Sequence, residues 1–247
     1  MPRILLHAEY DGSHYKGWQT QPVSDTVQDQ IEAAISKLTS RQIRIYGSGR
    51  TDTGVHAEDQ PFHFDLDYQP DLPELINRLN RVLPRDIAIH NGRIVPDDFH
   101  ARFDATYRQY RYQLTTVKKP LLRHYTHYLY QPLNFDLIRS GLIELEGEHD
   151  FSRFCLHDEH RSSSICTVTH TDLICQDDNF WIVRIGANRF MKHMVRFIIG
   201  TLVDLSLGKM AYSQYLDLVA AKNDQPNTAA AAPAKGLILE KVSYPDI

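Results

Sequence analysis

Residues 105–115, ATYRQYRYQLT, predict a long β-strand near the middle of the chain. Tyrosine and threonine are enriched in strands, and neither glycine nor proline interrupts the run. Alternate side chains of a strand point to opposite faces, so Tyr110 and Leu114 share one face with Tyr112, and Arg111 lies on the other. We expect this strand to open the second half of the protein.

On both sides of this strand the sequence alternates between strand and helix patterns, which have apolar periods of two and of three to four residues. We expect strands at residues 4–10, 42–46, 62–66, 87–89, 165–174, 180–185 and 237–244, and helices at 27–38 (N-capped by Ser24 or Asp25), 72–83, 137–145, 190–207 and 213–222. Helices that return onto mainly antiparallel strands indicate an α+β fold. We expect two sheet-plus-helix halves, residues 1–105 and 106–247.

The charge of the chain is unevenly distributed. The 247 residues include 27 basic and 31 acidic side chains, and 42% are apolar, which argues against disorder. No apolar run reaches the length of a membrane span. Residues 78–123 hold ten basic and four acidic residues, whereas residues 135–187 hold four basic and ten acidic ones. Both a basic binding face on an acidic protein and an ordinary solvated surface fit this asymmetry.

Cysteine and glycine patterns argue against disulfides, metals and nucleotide cofactors. Cys155, Cys166 and Cys175 are an odd number, and no signal-peptide pattern is present, so we expect a reduced, cytoplasmic protein. His157 and His160 lie near these cysteines, but the spacing lacks a zinc knuckle and predicts no metal site. The loop GSGRTDTG has an aspartate where a dinucleotide-binding loop has its third glycine, and no phosphate-binding P-loop occurs.

Residues 49–56, GRTDTGVH, place a cation, a carboxylate and an imidazole close together, at Arg50, Asp52 and His56. The flanking glycines allow a substrate to approach the backbone closely. A carboxylate that an arginine keeps ionised in a partly dry site is a usable nucleophile. The same residues also suit an ordinary turn, because Asp and Thr side chains bond to nearby backbone groups. The residues alone leave both interpretations open.

Two further segments combine cations with apolar or aromatic residues. The strand segment 107–112 interleaves tyrosine and arginine, which suits the stacking of a base and the binding of phosphates, or else a sheet face with Tyr in the core. The expected helix at 190–207 is nearly all apolar, and Arg189, Lys192 and Arg196 have the spacing of one helix face. If Arg196 is buried it needs a carboxylate such as Asp52; otherwise it extends to solvent.

Together these segments resemble the TruA family of tRNA pseudouridine synthases from end to end. The matching motifs, in order, are Tyr10-Asp11-Gly12 with Tyr15, Gly17, Trp18 and Gln19; Gly49-Arg50-Thr51-Asp52 with Gly54-Val55-His56-Ala57; residues 97–103, DDFHARF, with Tyr110-Arg111-Tyr112; Phe190 with His193-Met194-Val195-Arg196; and Gly236-Leu237 with Tyr244-Pro245. Thr53 stands where the family usually has alanine. The added hydroxyl removes no proposed catalytic group.

The resemblance implies two α+β halves with a basic cleft between them, in a homodimer that converts uridine to pseudouridine at positions 38–40 of the tRNA anticodon stem-loop. Asp52 would be the nucleophile, Arg196 its ion-pair partner, Tyr110 the ring that packs on the uracil, and Arg50 the group that helps to extrude the base. Nearby cations would bind phosphates; the candidates are Arg102, Arg108, Arg111 and Lys118.

This chemistry fits a chain without cofactor motifs. The reaction breaks the bond from C1′ to N1, turns the uracil and rejoins it through C5, so it is redox-neutral and consumes nothing. Two other functions remain to be separated from it. One is a non-catalytic RNA-binding module, in which Asp52 only shapes a turn, and the other is a hydrolase that uses Asp52 with His56.

Overall fold

The computed structural model describes residues 1–22, 25–156, 163–222, 227 and 229–245. Its strands are β1 (Arg3–Tyr10), β2 (Tyr46–Gly47), β3 (His56–Asp65), β4 (Ile87–Val95), β5 (Tyr107–Thr115), β6 (His127–Tyr128), β7 (Gly147–Asp150), β8 (Ile165–Asp177), β9 (Phe180–Ala187) and β10 (Leu237–Ser243). Its helices are α1 (Val27–Thr39), α2 (Leu72–Val82), α3 (Phe135–Ile143), α4 (Met194–Ser206) and α5 (Tyr212–Val219). The predicted α+β class is confirmed.

The chain folds into two compact units. The first comprises Met1–Thr106 and the segment that starts at Ile238, and the second comprises Tyr107–Leu237. The return of the C-terminal segment to the first unit was not expected, and it follows from parallel pairing of β10 with β3, where Ile238 lies opposite His56.

The first unit is built on a sheet in which β1 and β3 are central. The strand order is β4-β1-β3-β10, and the short β2 pairs with β3. β1 pairs antiparallel with both neighbours, with Ile4 opposite Phe64 on one side and Ile94 on the other. β1 ends at Tyr10 and β3 begins at His56, so the chain before β3 and the chain after β1 meet at one end of the sheet.

β1 is the half-buried strand that its sequence pattern predicted, with one exception: its second face holds the partly exposed Arg3 and His7 and the exposed Glu9, but also the buried Leu5. Leu5, on the face opposite Ile4 and Leu6, is fully buried. It packs in a cluster with Val95, Phe99 and Ala101, with Tyr244 against it. The segment after β4 therefore covers Leu5, and this burial arises from residues far away in the sequence.

The second unit is a sheet in the order β6-β5-β9-β8-β7, with its neighbouring long strands antiparallel. Helix α4 is buried along most of its length and packs against α3. Gly141 in α3 makes this possible, since an added Cβ would lie 2.5 Å from the Leu202 side chain.

Three local expectations were wrong. Helix α4 begins at Met194 instead of residue 190, because His193 takes a left-handed conformation (φ 63°) and ends the preceding turn; Arg189 and Lys192 are therefore not on its face. Residues 42–45 are not a strand, since the backbone of Ile45 bonds instead to Glu32 and Gln28 side chains of α1. The α1 N-cap is Thr26, which accepts from the Asp29 N–H, not Asp25; Ser24 lies outside the described residues.

His63 on β3 is a buried, neutral imidazole. Its Nδ1 accepts a hydrogen bond from the Ala101 N–H at 3.2 Å, and its ring stacks on Tyr46 with centroids 5.2 Å apart. Burial, aided by the charges of His100 and Arg3, lowers the pKa of His63 to about 4. Since the unfolded pKa is higher, the unfolded chain takes up the proton first, and stability falls as the pH drops from about 6.5 towards about 4.

Replacing His63 with Asn keeps an acceptor for the Ala101 N–H and removes this titration. We expect the unmodified protein to lose on the order of 2 kcal/mol more unfolding free energy than His63→Asn between pH 7 and pH 4.5. Urea unfolding at the two pH values measures the difference, and His14→Asn, at an exposed position, is the control. Equal losses in all three proteins would contradict the assignment.

Candidate active site

Asp52 lies in a tight turn of the first unit. The Asp52 loop, residues 47–56, connects β2 to β3, and in it the Val55 N–H donates to the Asp52 carbonyl at 3.1 Å. Gly54 has φ +77°, which is the third-position geometry of a type II turn. Asp52 is half-buried, and Thr53 at the second turn position is exposed. The hydroxyl that departs from the family pattern thus lies on the outside of the turn.

The segment that follows β1 holds this loop by its backbone. The Trp18 N–H donates to the Thr51 carbonyl at 3.2 Å, and the Gly54 N–H donates to the Tyr15 carbonyl at 3.3 Å. The Thr51 hydroxyl is buried and lies 2.7 Å from the hydroxyl of Tyr10. The backbone on both sides of Asp52 is therefore fixed by the segment that follows β1.

Two glycines allow the two segments to touch. A Cβ on Gly17, which has φ +87°, would lie 2.5 Å from the Thr51 carbonyl oxygen, and a Cβ on Gly12 would lie 1.9 Å from the Val55 carbonyl oxygen. The sequence analysis did not predict this contact. The pair of glycines in a stretch without periodicity is a signal compatible with close backbone approach, but it does not identify the partner.

His56 is engaged in holding this arrangement. Its ring is 3% exposed, and its Nδ1 lies 3.1 Å from both the Gly12 nitrogen and an Asp11 carboxylate oxygen. The Gly12 N–H donates to Nδ1 when the ring is neutral. This position gives His56 a structural role at the base of the loop, which weakens the hydrolase interpretation.

In the second unit, the tyrosines of β5 have different environments. Tyr112 is fully buried, and its hydroxyl donates to the Pro233 carbonyl at 2.8 Å, so it is a core residue whose pKa is raised by burial. Tyr110 is half-buried and meets Phe190 at right angles, with ring centroids 5.1 Å apart. A perpendicular contact leaves at least one face of the Tyr110 ring uncovered by Phe190.

Arg196 lies in the first turn of α4 and is half-buried. Its Nε donates to the Ala232 carbonyl at 2.8 Å, and its own carbonyl accepts from the Ala232 N–H at 2.9 Å. Its charge acts on the Tyr112 hydroxyl, where it opposes the rise in pKa caused by burial. Within the second unit, Arg196 therefore lies on the same side of the sheet as Tyr112. Tyr110, two residues before Tyr112 on β5, shares that face.

The other predicted cations are spread over both units. On β5, Arg108 shares the face of Tyr110 and donates to the Asn188 carbonyl at 2.8 Å, whereas Arg111 lies on the opposite face, across from Arg184. Arg102, in the first unit, is exposed and lies over the ring of Phe103 at 5.7 Å. The remaining two, Arg50 and Lys118, are exposed.

The described residues contain no cluster of three or more His, Cys, Asp or Glu side chains suited to a metal ion. Cys155 is half-buried, Cys166 buried and Cys175 exposed, and none of the three is in a disulfide, while His157 and His160 lie outside the described residues. None of the described helices combines the length and hydropathy that a membrane span requires.

Comparison with known proteins identifies the class of enzyme. The family model of tRNA pseudouridine synthases matches residues 6–104 and 142–245, which include Asp52 and Arg196 but not Tyr110. The tRNA pseudouridine synthase A of Bacteroides fragilis is 35% identical over 98% of this chain and 96% of its own, and that of Legionella pneumophila is 38% identical over 98% and 93%. The chain therefore belongs to the tRNA pseudouridine synthase family, whose members are isomerases of uridine in tRNA.

Among solved structures, the archaeal box H/ACA sRNP Nop10–Cbf5 complex aligns at 13% identity over 82% of this chain and 43% of that chain, with a TM-score of 0.40. This similarity is too low to add to the assignment. The resemblance stated from the motifs is confirmed by the sequence relatives alone.

The contact between the two segments predicts different costs for two glycine substitutions. Gly17→Ala places a Cβ against the Thr51 carbonyl in a left-handed conformation, so we expect a loss of about 2–3 kcal/mol of unfolding free energy. Gly49→Ala is the matched control, because no atom lies within 4 Å of its Cβ position; it should change stability by less than about 0.5 kcal/mol. Similar urea midpoints for both variants would contradict the close approach.

Proposed function

We propose that this enzyme converts uridine to pseudouridine at positions 38–40 of the tRNA anticodon stem-loop, with Asp52 as the catalytic carboxylate. Family membership supports the isomerisation of uridine in tRNA. The assignment to positions 38–40 of the tRNA rests on the motif resemblance. The observation that carries the role of Asp52 is its place in a turn whose neighbouring residues are bonded to Trp18 and Tyr15. A carboxylate positioned by fixed backbone meets the substrate with little reorganisation.

Three forms of the reaction are open, and Asp52 has a different role in each. It attacks C1′ in the first, adds to the uracil ring in the second, and in the third assists formation of a glycal by removing the proton from C2′. All three need an ionised carboxylate beside the ribose and the base. We propose that Arg196 pairs with Asp52 and keeps it ionised. The bonds that fix Arg196 to Ala232 support this role, since they limit the positions its guanidinium can take.

We propose that Tyr110 stacks on the target base and that Arg50 helps to extrude it. A ring face of Tyr110 not covered by Phe190 can stack on the uracil, with a contribution of about 1–3 kcal/mol. Extruding the base from its stack costs a few kcal/mol. The exposed Arg50, two residues before Asp52, is suited to stabilise the opened RNA and to occupy the space that the base leaves.

Phosphate binding is proposed for Arg102, Arg108, Arg111 and Lys118. Arg108 has the strongest support, because it shares a face of β5 with Tyr110. Arg111 binds a phosphate as well only where the RNA also reaches the opposite face of β5.

From the resemblance we further propose a homodimer in the cytoplasm. Light scattering of the purified protein at micromolar concentration tests the dimer.

Asp52→Asn keeps the shape of the side chain and removes its charge. We expect conversion to fall by at least about a thousandfold while the dissociation constant for tRNA changes only a few-fold. Tritium release from tRNA labelled at uridine C5 measures conversion and also separates catalysis from a non-catalytic RNA-binding module. Glu58→Gln, at an exposed carboxylate of β3, is the control and should retain conversion. Near-normal turnover by Asp52→Asn would sink the assignment.

Tyr110 offers a test of stacking against proton transfer. Tyr110→Phe keeps the ring and should stay within a few-fold of the unmodified enzyme in kcat/KM, whereas Tyr110→Leu should lose about 10- to 100-fold. Tyr112→Phe, two residues along the same face, should lower the melting temperature instead, because it leaves the Pro233 carbonyl without its donor. Equal losses for the Phe and Leu variants at Tyr110 would assign the role to the hydroxyl.

A further inference from the structure

Beyond the C-terminal end of β5, the second unit has a small cavity surrounded by cations. Its volume is about 230 Å³, and no acidic residue lines it among the parts of the chain that the structure describes. The charged and polar side chains at its wall are Lys118, Lys119, Arg123, Lys235, Thr126 and Tyr128. Pockets for small organic ligands measure about 300–1,000 Å³, so this one suits a single small group.

The walls of this cationic cavity are built from three anchored segments. The short 3-10 helix Pro120–Leu122 is closed by Arg123, which donates to the Pro120 carbonyl at 3.1 Å. β6 runs parallel to β5, with His127 opposite Leu114. Lys235 sits in a second 3-10 helix, Ala234–Gly236, whose glycine packs on the ring of Tyr112. The cations therefore stand on parts of the chain attached to the core.

The positive charge of this cavity is largely uncompensated. Lys119 pairs with Asp177 at 2.7 Å. Within the described residues, Lys118, Arg123 and Lys235 have no ion pair with a carboxylate. His127 adds no charge, because burial and the nearby charge of Lys235 lower its pKa to about 4. Three unpaired cations around one cavity create a local field that attracts an anion, although the whole chain is acidic.

We propose that the cationic cavity binds one backbone phosphate of the tRNA, outside the nucleotide that is isomerised. This inference rests on the proposed function, which supplies the RNA. Lysine and arginine are the usual phosphate ligands in nucleic-acid complexes, and such contacts fix the register of the RNA without reading its sequence. Tyr110 and Thr115 are five residues apart on β5, about 17 Å, so the phosphate belongs to a different nucleotide from the stacked base.

The test compares two triple variants that remove the same charge. The cavity variant is Lys118→Gln/Arg123→Gln/Lys235→Gln. The control is Arg139→Gln/Lys209→Gln/Lys222→Gln, in the same unit, where Lys209 pairs with Asp204 and Lys222 with Asp217. Filter binding of unmodified tRNA between about 50 and 200 mM salt gives affinity and salt dependence. Melting temperatures establish that both variants fold, and Lys118→Arg/Lys235→Arg should bind like the unmodified protein.

We expect the cavity variant to bind tRNA about tenfold more weakly and its salt slope to fall by about one, the value for one lost phosphate contact. KM should rise while kcat at saturating tRNA stays within twofold. A cavity variant with unchanged affinity and slope overturns the proposal. So does an equal loss in the control, which would show only the effect of total charge, and so does an unmodified protein that does not bind tRNA.

The outcomes separate this proposal from the proposed function. If the unmodified protein binds tRNA with the predicted dependence on the cavity but releases no tritium, the isomerisation assigned to Asp52 fails and the phosphate site stands. If tritium is released normally and the cavity variant binds as well as the unmodified protein, the phosphate site fails and the catalytic assignment stands.

Discussion

The Asp52 loop depends on a contact between two stretches of backbone. Gly12 and Gly17 lie so close to the carbonyls of Val55 and Thr51 that a side chain on either would overlap them. The two segments are joined by main-chain hydrogen bonds on both sides of Asp52. A displacement of about 1 Å at a reacting group can cost a hundredfold in rate. Main-chain contacts resist such displacement better than the packing of long side chains, which retain rotamer freedom.

This contact also explains the opening motif of the chain. Tyr10, Tyr15 and Trp18 are buried and surround the loop, yet none is needed for the proposed chemistry. Tyr15 donates to Asp86 at 2.7 Å, and its pKa is raised by burial and by that bond. The motif acts through position: it holds Thr51 and Gly54, which hold Asp52 between them.

Most of the fold could be predicted from local patterns, because periodicity reports which face of an element is buried. Two of the failures come from contacts between distant residues. The burial of Leu5 comes from Phe99, and the loss of a strand before Tyr46 comes from side chains of α1. In the site, a turn at Asp52 was predictable from its glycines and threonines. Its attachment to residues some 40 positions earlier was not, since no periodic signal links two loops.

In the proposed function, one strand of the second unit combines stacking with electrostatic binding. β5 pairs with β9 over eight residue pairs, from Arg108 to Thr115, and this pairing makes β5 stiff along its length. Arg108 and Tyr110 stand on one face near its start, and the cationic cavity lies beyond its end. In the proposed complex, the distance between the stacked base and the bound phosphate is set by the rise of the strand instead of by mobile side chains. An acidic protein can bind RNA in this way, because a few cations at fixed spacing matter more to the complex than the total charge.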